Sequence, residues 1–196
     1  MKPIAVCVFC SASDGIPGRY PELAARAGRM IAERGWTLVT GGESVSMMGA
    51  IARAARSAGG RTVGVVPEPL LGRADRAADE LVVTGTVGER KAAMIDRSDA
   101  VLALPGGVGT CDEIFESWTS RMLGPHAKPL VLLDHDGHFR ELVSWIDRMH
   151  RVGFISDSWH GALRVADELG AALDLCAGAA PLPQAAGPAA GGAGPR

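Results

Sequence analysis

The chain has no excess of charge of either sign. Its 20 Lys and Arg against 22 Asp and Glu leave a net charge of −2. Such a balance gives no electrostatic footprint for a polyanion such as DNA or for an acidic membrane surface. Neither nucleic acid nor membrane is therefore expected as a partner, while a local positive pocket for a small phosphorylated ligand stays open. Long apolar runs are absent too: nothing approaches the roughly 20 residues that span a bilayer. The short run from Ile4 to Cys10 follows Lys2 without a cleavage site of the signal-peptide kind, so the expected location is cytoplasmic. Cysteine is sparse, at Cys7, Cys10, Cys111 and Cys176. Cys7 and Cys10 have C-x-x-C spacing, but no second pair or nearby histidine accompanies them, and no metal is expected. On a strand, residues three apart point to opposite faces, whereas redox pairs sit at a helix N-terminus. Buried structural thiols are the expectation. An internal repeat is also lacking.

What is present is an alternation of apolar strand-like runs with segments of helical period. The 196 residues allow one domain with a sizeable core. Ile4 to Phe9 reads as a strand, and Tyr20, Leu23, Ala24, Ala27, Met30 and Ile31 then recur at helical spacing up to Gly35. Further strands are predicted at 36–40, 61–66, 81–84, 100–104 and 130–133. Helices are predicted at about 47–57, at 89–97, from Thr110 onward, and through Phe139, Leu142, Val143, Ile146 and Met149. Strand–helix alternation predicts right-handed βαβ units, hence an α/β, Rossmann-like fold with a parallel sheet flanked by helices on both faces. One catalytic domain is expected over residues 1–177. Residues 178–196, rich in Ala, Gly and Pro, hold too little apolar surface to offset ordering entropy and are expected to be disordered. In such sheets ligands bind beyond the carboxyl ends of the strands.

Three connections at that edge attract attention. Leu104-Pro105-Gly106-Gly107-Val108-Gly109-Thr110 follows a buried strand and opens a helix. Glycines let backbone N–H groups and the helix dipole approach an anion. The loop matches neither G-x-G-x-x-G nor G-x-x-x-x-G-K-[ST], so nicotinamide binding and ATP hydrolysis are not the default. A tight turn accounts for the same glycines, and local sequence does not decide between the two. Thr110 and Glu113 fit a capping box; alternatively, Glu113 faces a ligand, where its carboxylate stabilises an oxocarbenium-like charge and orients water. Thr86 and Glu89 fit a second box, leaving Arg90 and Lys91 in a first turn, where the helix dipole disfavours cations. The third connection, Gly41-Gly42-Glu43-Ser44-Val45-Ser46, offers N–H and hydroxyl donors to a phosphate, or a turn with Ser44 as helix cap.

Together these segments resemble the Lonely Guy family of phosphoribohydrolases, which activate cytokinins and some of whose members act on AMP. The resemblance runs from Cys7 to about Phe154. It is carried by Cys7-Val8-Phe9-Cys10-Ser11, the Gly41-to-Gly49 turn, Glu89-Arg90-Lys91 with Met94, and the P-G-G-x-G-T-x-x-E motif of Pro105 to Glu113. Leu123 to Pro129 and Gly153-Phe154-Ile155 also match. It implies a Rossmann-like homodimer that hydrolyses the N-glycosidic bond of a purine-type nucleoside 5′-monophosphate, AMP or an N6-substituted relative, without metal or organic cofactor. It further implies Arg90 and Glu113 as the catalytic pair. Gly106, Gly107, Val108, Gly109, Thr110, Lys91, Thr119 and Ser44 are then the substrate-binding residues. Departures from the pattern are Glu43 and Ser46 in place of glycines, Gly88 in place of a histidine, Ala74 near an acidic position with Asp75 beside it, and Val108 in place of an aromatic residue. The alternative in another class is a non-catalytic carrier of a nucleotide or phosphorylated cofactor. Cys111 as a nucleophile lacks an identifiable base. A lysine-decarboxylase label sometimes given to such proteins finds no pyridoxal-phosphate site, Lys128 being a lone lysine. Trp118, Met122 and Leu123 suit either a dimer interface or an internal face.

Overall fold

The computed structural model describes residues 4–124 and 126–178. Seven strands form one sheet: β1 (Ala5–Phe9), β2 (Thr37–Thr40), β3 (Thr62–Pro67), β4 (Glu80–Thr84), β5 (Ala100–Ala103), β6 (Leu130–Leu133) and β7 (Leu163–Ala166). All neighbours pair in parallel. The order β4-β3-β2-β1-β5-β6-β7 means that the chain winds outward from β1, then crosses back to place β5 on its other side. The crevice between the carboxyl ends of β1 and β5 is thus the topological switch point, where open α/β sheets bind ligands.

Strand composition explains the two-sided cover. In β1, Val6 and Val8 point to one face, while Cys7 and Phe9 point to the other, and all four are buried. On the first face pack α1 (Arg19–Glu33), α2 (Ser46–Ser57) and α7 (Leu169–Ala177), through Leu23, Ile31, Met47, Ile51 and Leu173. On the second pack α3 (Val87–Asp96), α4 (Val108–Leu123), α5 (Arg140–Arg151) and the short α6 (Asp157–Ala162), through Met94, Ile114, Trp118, Ile146 and Ala162. Full burial of such a side chain contributes about 1.5–3 kcal/mol, which is why the contiguous apolar strands take the centre. Cys7 and Cys10 belong to opposite faces, and burial pushes both thiols up, as expected of inert structural cysteines.

Several sequence expectations need correcting. α4 starts at Val108, with Gly107 as its N-cap, so Thr110 is a buried residue inside the first turn and forms no capping box with Glu113. Ser44 does not cap α2; Val45 occupies that position, and Ser44 Oγ donates to the Arg73 carbonyl. Trp118 is buried within the chain, its Nε1 donating to the Trp159 carbonyl at 2.9 Å, and it is not available to a second copy. β7, α6 and α7 add a closing strand and two helices beyond the predicted elements. The expected tail beyond Gly178 lies outside the described residues. Among the described residues, no helix is long and apolar enough to cross a membrane.

Candidate active site

Two helix N-termini, those of α3 and α4, meet at the carboxyl edge of the sheet. The one following β5 is open. Gly107 caps it in an extended conformation (φ −100°, ψ −150°) without a side-chain hydrogen bond. The first intrahelical bond there joins Cys111 N–H to the Gly107 carbonyl at 3.0 Å, so the preceding N–H groups have no helical acceptor. Gly107, Val108 and Gly109 are exposed. Such an end carries about half a positive charge and aims donors at an incoming anion. Gly106 sits directly over Thr110, where a Cβ would come within 2.1 Å of the threonine hydroxyl; this close approach is what the glycine permits. The loop is anchored from outside by His138, whose Nε2 lies 3.2 Å from Gly106 N and 2.9 Å from Gly106 O. A cavity of about 220 Å³ at the switch point is lined by Ser11, Ser13, Tyr20, Met47, Gly106, Gly107 and His138.

One helical turn beyond Thr110, Glu113 meets Arg90. The Arg90 guanidinium is buried and anchored by β-strand ends: Nε donates to the Val65 carbonyl at 3.1 Å and Nη2 to the Gly41 carbonyl at 2.9 Å. Gly41 leaves the space it fills, since a Cβ there would lie 1.6 Å from Nη2. Nη1 faces Glu113 Oε1 at 3.7 Å, and Nη2 lies 4.0 Å from Glu43 Oε1. The packing offsets the unfavourable placement of a cation in a first turn. Burial pushes the Glu113 carboxyl up to about 7, against the opposing pull of Arg90 and Lys91 and with the help of Asp112 and Glu43. At neutral pH, Glu113 is therefore poised to hold or release a proton, as catalytic carboxyls often are.

Glu113 also lines a second cavity, of about 300 Å³, in the groove between α3 and α4, with Lys91, Ile95, Ser117, His126 and Lys128. Both His126 ring nitrogens are buried without a hydrogen-bond partner among the described residues, and burial, then Lys128 and Arg121, lower its pKa. Lys128 Nζ donates to the Ile95 carbonyl. Lys91 is held by Asp112 at 2.8 Å and by Glu116, and these hydrogen bonds raise its pKa. Among the described residues, no three or more His, Cys, Asp or Glu side chains are grouped to hold a metal ion.

The structure thus brings together Arg90, Glu113 and, one turn away, Gly106 to Thr110. Lys91 stands beside them but carries its own acidic partners. Thr119 is exposed on α4 and lines neither cavity, and Ser44 is engaged with the 68–73 turn. Cys111 fails as an activated nucleophile because burial raises its thiol, opposite to what the helix end alone would do. Glu43, His126 and His138 escaped sequence reasoning as site residues. Glu43 was visible as a departure from a glycine position, and His126 lay in the matching 123–129 segment without being given a role; His138 stands in no local pattern.

Fold and edge geometry together define a class, the Rossmann-type α/β proteins with an open, glycine-rich strand-to-helix loop. Within it, this chain belongs to the Lonely Guy family of phosphoribohydrolases. A family model described as possible lysine decarboxylase matches residues 48–176. The chain is 51% identical over 174 residues to the cytokinin riboside 5′-monophosphate phosphoribohydrolase of Mycobacterium tuberculosis, covering 88% of this chain and 92% of that protein. It is 40% identical to the enzyme of the same name from Rhodococcoides fascians, covering 87% and 88%. Among solved structures, the molybdenum cofactor carrier protein of Chlamydomonas reinhardtii superposes with a TM-score of 0.70 at 26% identity, covering 90% and 100%. The molybdenum cofactor binding protein of Rippkaea orientalis, with a TM-score of 0.69 at 23% identity over 89% and 96%, shows the shared fold.

Proposed function

We propose that this chain hydrolyses the N-glycosidic bond of a purine-type nucleoside 5′-monophosphate, releasing free base and ribose 5-phosphate. The observation that carries the reading is the spacing along α4. A 5′-phosphate held at the open first turn places its ribose near Glu113, because about 1.5 Å of rise per residue sets that carboxylate roughly 5–9 Å beyond the loop. There the bond from C1′ to the base nitrogen breaks with its electron pair leaving on the base. Ionised Glu113 stabilises the positive charge developing on the sugar and orients the water whose oxygen bonds to C1′, taking from it the proton that then passes to the departing base nitrogen. Arg90 holds the carboxylate in place. The base enters the α3–α4 groove, where Ile95 offers apolar contact and Ser117 and His126 offer polar atoms that a purine edge can pair. The chemistry needs no metal or organic cofactor. AMP and N6-substituted relatives, including cytokinin riboside monophosphates, are the substrates that the family relationship favours.

A second copy of the chain is the natural cover for the exposed apolar residues Leu123, Val152 and Phe154, in keeping with a homodimer acting in the cytoplasm. A specific observation favours one other reading, a non-catalytic carrier: the molybdenum cofactor carrier protein is built on this fold. The Arg90–Glu113 pair argues for turnover instead. The test is incubation of purified protein with a panel of nucleoside monophosphates and the matching nucleosides. Free base and ribose 5-phosphate from AMP or an N6-substituted monophosphate, with little from nucleosides, is the expected result. Tight nucleotide binding without base release above background across the panel would establish the carrier.

A further inference from the structure

A third buried carboxylate belongs to the site. Glu43 lies just beyond β2 and is only 5% exposed. Its Oε1 stands 4.0 Å from Arg90 Nη2, and its Oε2 stands 3.1 Å from Arg73 Nε without a well-formed hydrogen bond. The segment is stitched to the turn that carries Arg73. Glu43 bridges Ala74, Ser44 N–H donates to the Arg73 carbonyl at 2.9 Å, and Asp75 N–H donates to the Gly42 carbonyl at 2.7 Å. Arg73 in turn reaches the Ala12 carbonyl beside the switch point. A chain of alternating charge therefore crosses the sheet edge: Arg73, Glu43, Arg90, Glu113.

We propose that Glu43 is a positioning residue, which divides the Arg90 guanidinium between two carboxylates and so sets how firmly Arg90 holds Glu113. The inference rests on the reading of Glu113 and Arg90 as the working pair. An isolated buried carboxylate so close to Arg90 is costly unless paired, and Arg73 supplies the second half of its pairing. Nη2 turns to Glu43 and Nη1 to Glu113, so the two carboxylates compete for the position of one guanidinium. The other groups facing Glu113 are Lys91 on α3, Asp112 on its own helix and the buried thiols of Cys7 and Cys10 from β1 and its end, while Glu116, His126 and Lys128 share its cavity. Glu43 also raises the Glu113 carboxyl directly by like charge, whereas Arg73 touches none of the other groups, so a change at position 73 reaches Glu113 through Glu43 and Arg90.

Opposite signs make the proposal testable. In E43Q, Arg90 turns wholly to Glu113 and favours its charged form. In R73Q, Glu43 leans more on Arg90, and Glu113 is released. The experiment is ¹³C-NMR titration of glutamate-labelled protein without substrate, with Glu113 assigned by its loss in E113Q and folding checked by thermal denaturation. The Glu113 midpoint is expected to fall by about half a pH unit or more in E43Q and to rise in R73Q, with the double variant following E43Q. The acid limb of kcat/KM should move with it. A midpoint that stays put in both variants, or moves the same way in both, overturns the proposal. Opposed shifts in a protein that releases no base uphold the charge relay and count against the enzymatic reading alone.

Discussion

α3 and α4 start at the same edge of the same sheet, yet their first turns are built in opposite ways. At α3, Thr86 Oγ1 accepts from Glu89 N–H at 3.1 Å, and the Glu89 carboxylate accepts from the N–H groups of Gly85 and Thr86 at 2.9 and 3.3 Å. A complete capping box closes that end with the helix's own carboxylate. At α4, glycines stand where the cap would be, and no side chain closes the end. The closed end fixes a position: it holds the helix that delivers Arg90 into the core. The open end leaves its N–H donors and half-charge for an anion from solution. Glutamate appears on both helices, but Glu89 faces its own backbone while Glu113 faces a cationic partner and a cavity. A position in a motif does not tell these two roles apart; the start of the helix does.

The largest expected effect lies on the open helix. Glu113→Gln removes the charge that stabilises an oxocarbenium-like state, and kcat should fall by about a thousand-fold or more with the fold retained. Robust turnover of this variant in a base-release assay would break the division between a catalytic and a structural glutamate. Next comes stability. The Glu113 carboxyl is raised to about 7 from 4.5, so the folded state holds its proton where the unfolded chain has lost it. The burden is absent below about pH 4.5, grows as pH rises toward 7 and is then constant, amounting to something on the order of 3 kcal/mol. Measured by urea denaturation, Glu113→Gln should gain stability relative to the parent between pH 5 and pH 8; a difference independent of pH would show that Glu113 titrates normally. The acid limb of kcat/KM should fall near the same pH.

A smaller effect comes from closing the open end. Gly107 is extended, and a Cβ there meets nothing within 4 Å. Gly107→Asp therefore supplies a good N-cap carboxylate without strain, making α4 resemble α3. The helix gains from a few tenths to about 1 kcal/mol, while affinity for a nucleoside monophosphate drops about 10- to 100-fold, since the cap competes with phosphate. Calorimetric titration with AMP, with and without the change in the inactive Glu113→Gln background, reads this directly. Unchanged affinity would place the phosphate elsewhere.

How much of this was legible in the sequence depends on how local each signal is. The central strands were readable because two-sided burial demands unbroken apolar runs such as Ala100 to Leu104 and Leu130 to Leu133. β7 escaped notice because at the sheet edge Arg164 is half-buried and Val165 exposed, so its four residues show neither a run nor a clean alternation. α7 escaped because its Gly, Ala and Leu composition blends into the Ala-rich stretch that follows. At the site, the loop glycines and the Arg90–Glu113 pair were readable from the family motif, whereas the start of α4 was not. Thr110-x-x-Glu113 satisfies the same sequence rule as Thr86-x-x-Glu89. Only the packing of Thr110 beneath Gly106 moves the helix start back to Val108. Glu43 could be recognised as a departure, but its partners Arg73 and Arg90 lie 30 and 47 positions away, joined by the sheet and not by spacing.

The smallest effect belongs to the closed end and serves as the control for the rest. Thr86→Ala removes the hydroxyl that accepts from Glu89 N–H and leaves one donor of α3 to solvent. Exposed caps of this kind contribute about 1 kcal/mol, so the denaturation midpoint should fall accordingly. Arg90 stays anchored by the Val65 and Gly41 carbonyls, which do not depend on the cap, so kcat should change by no more than about two-fold, the equivalent of a few tenths of a kcal/mol. A large loss of kcat at unchanged stability would mean that the first turn of α3 touches substrate. The two helix ends would then differ in shape and not in purpose.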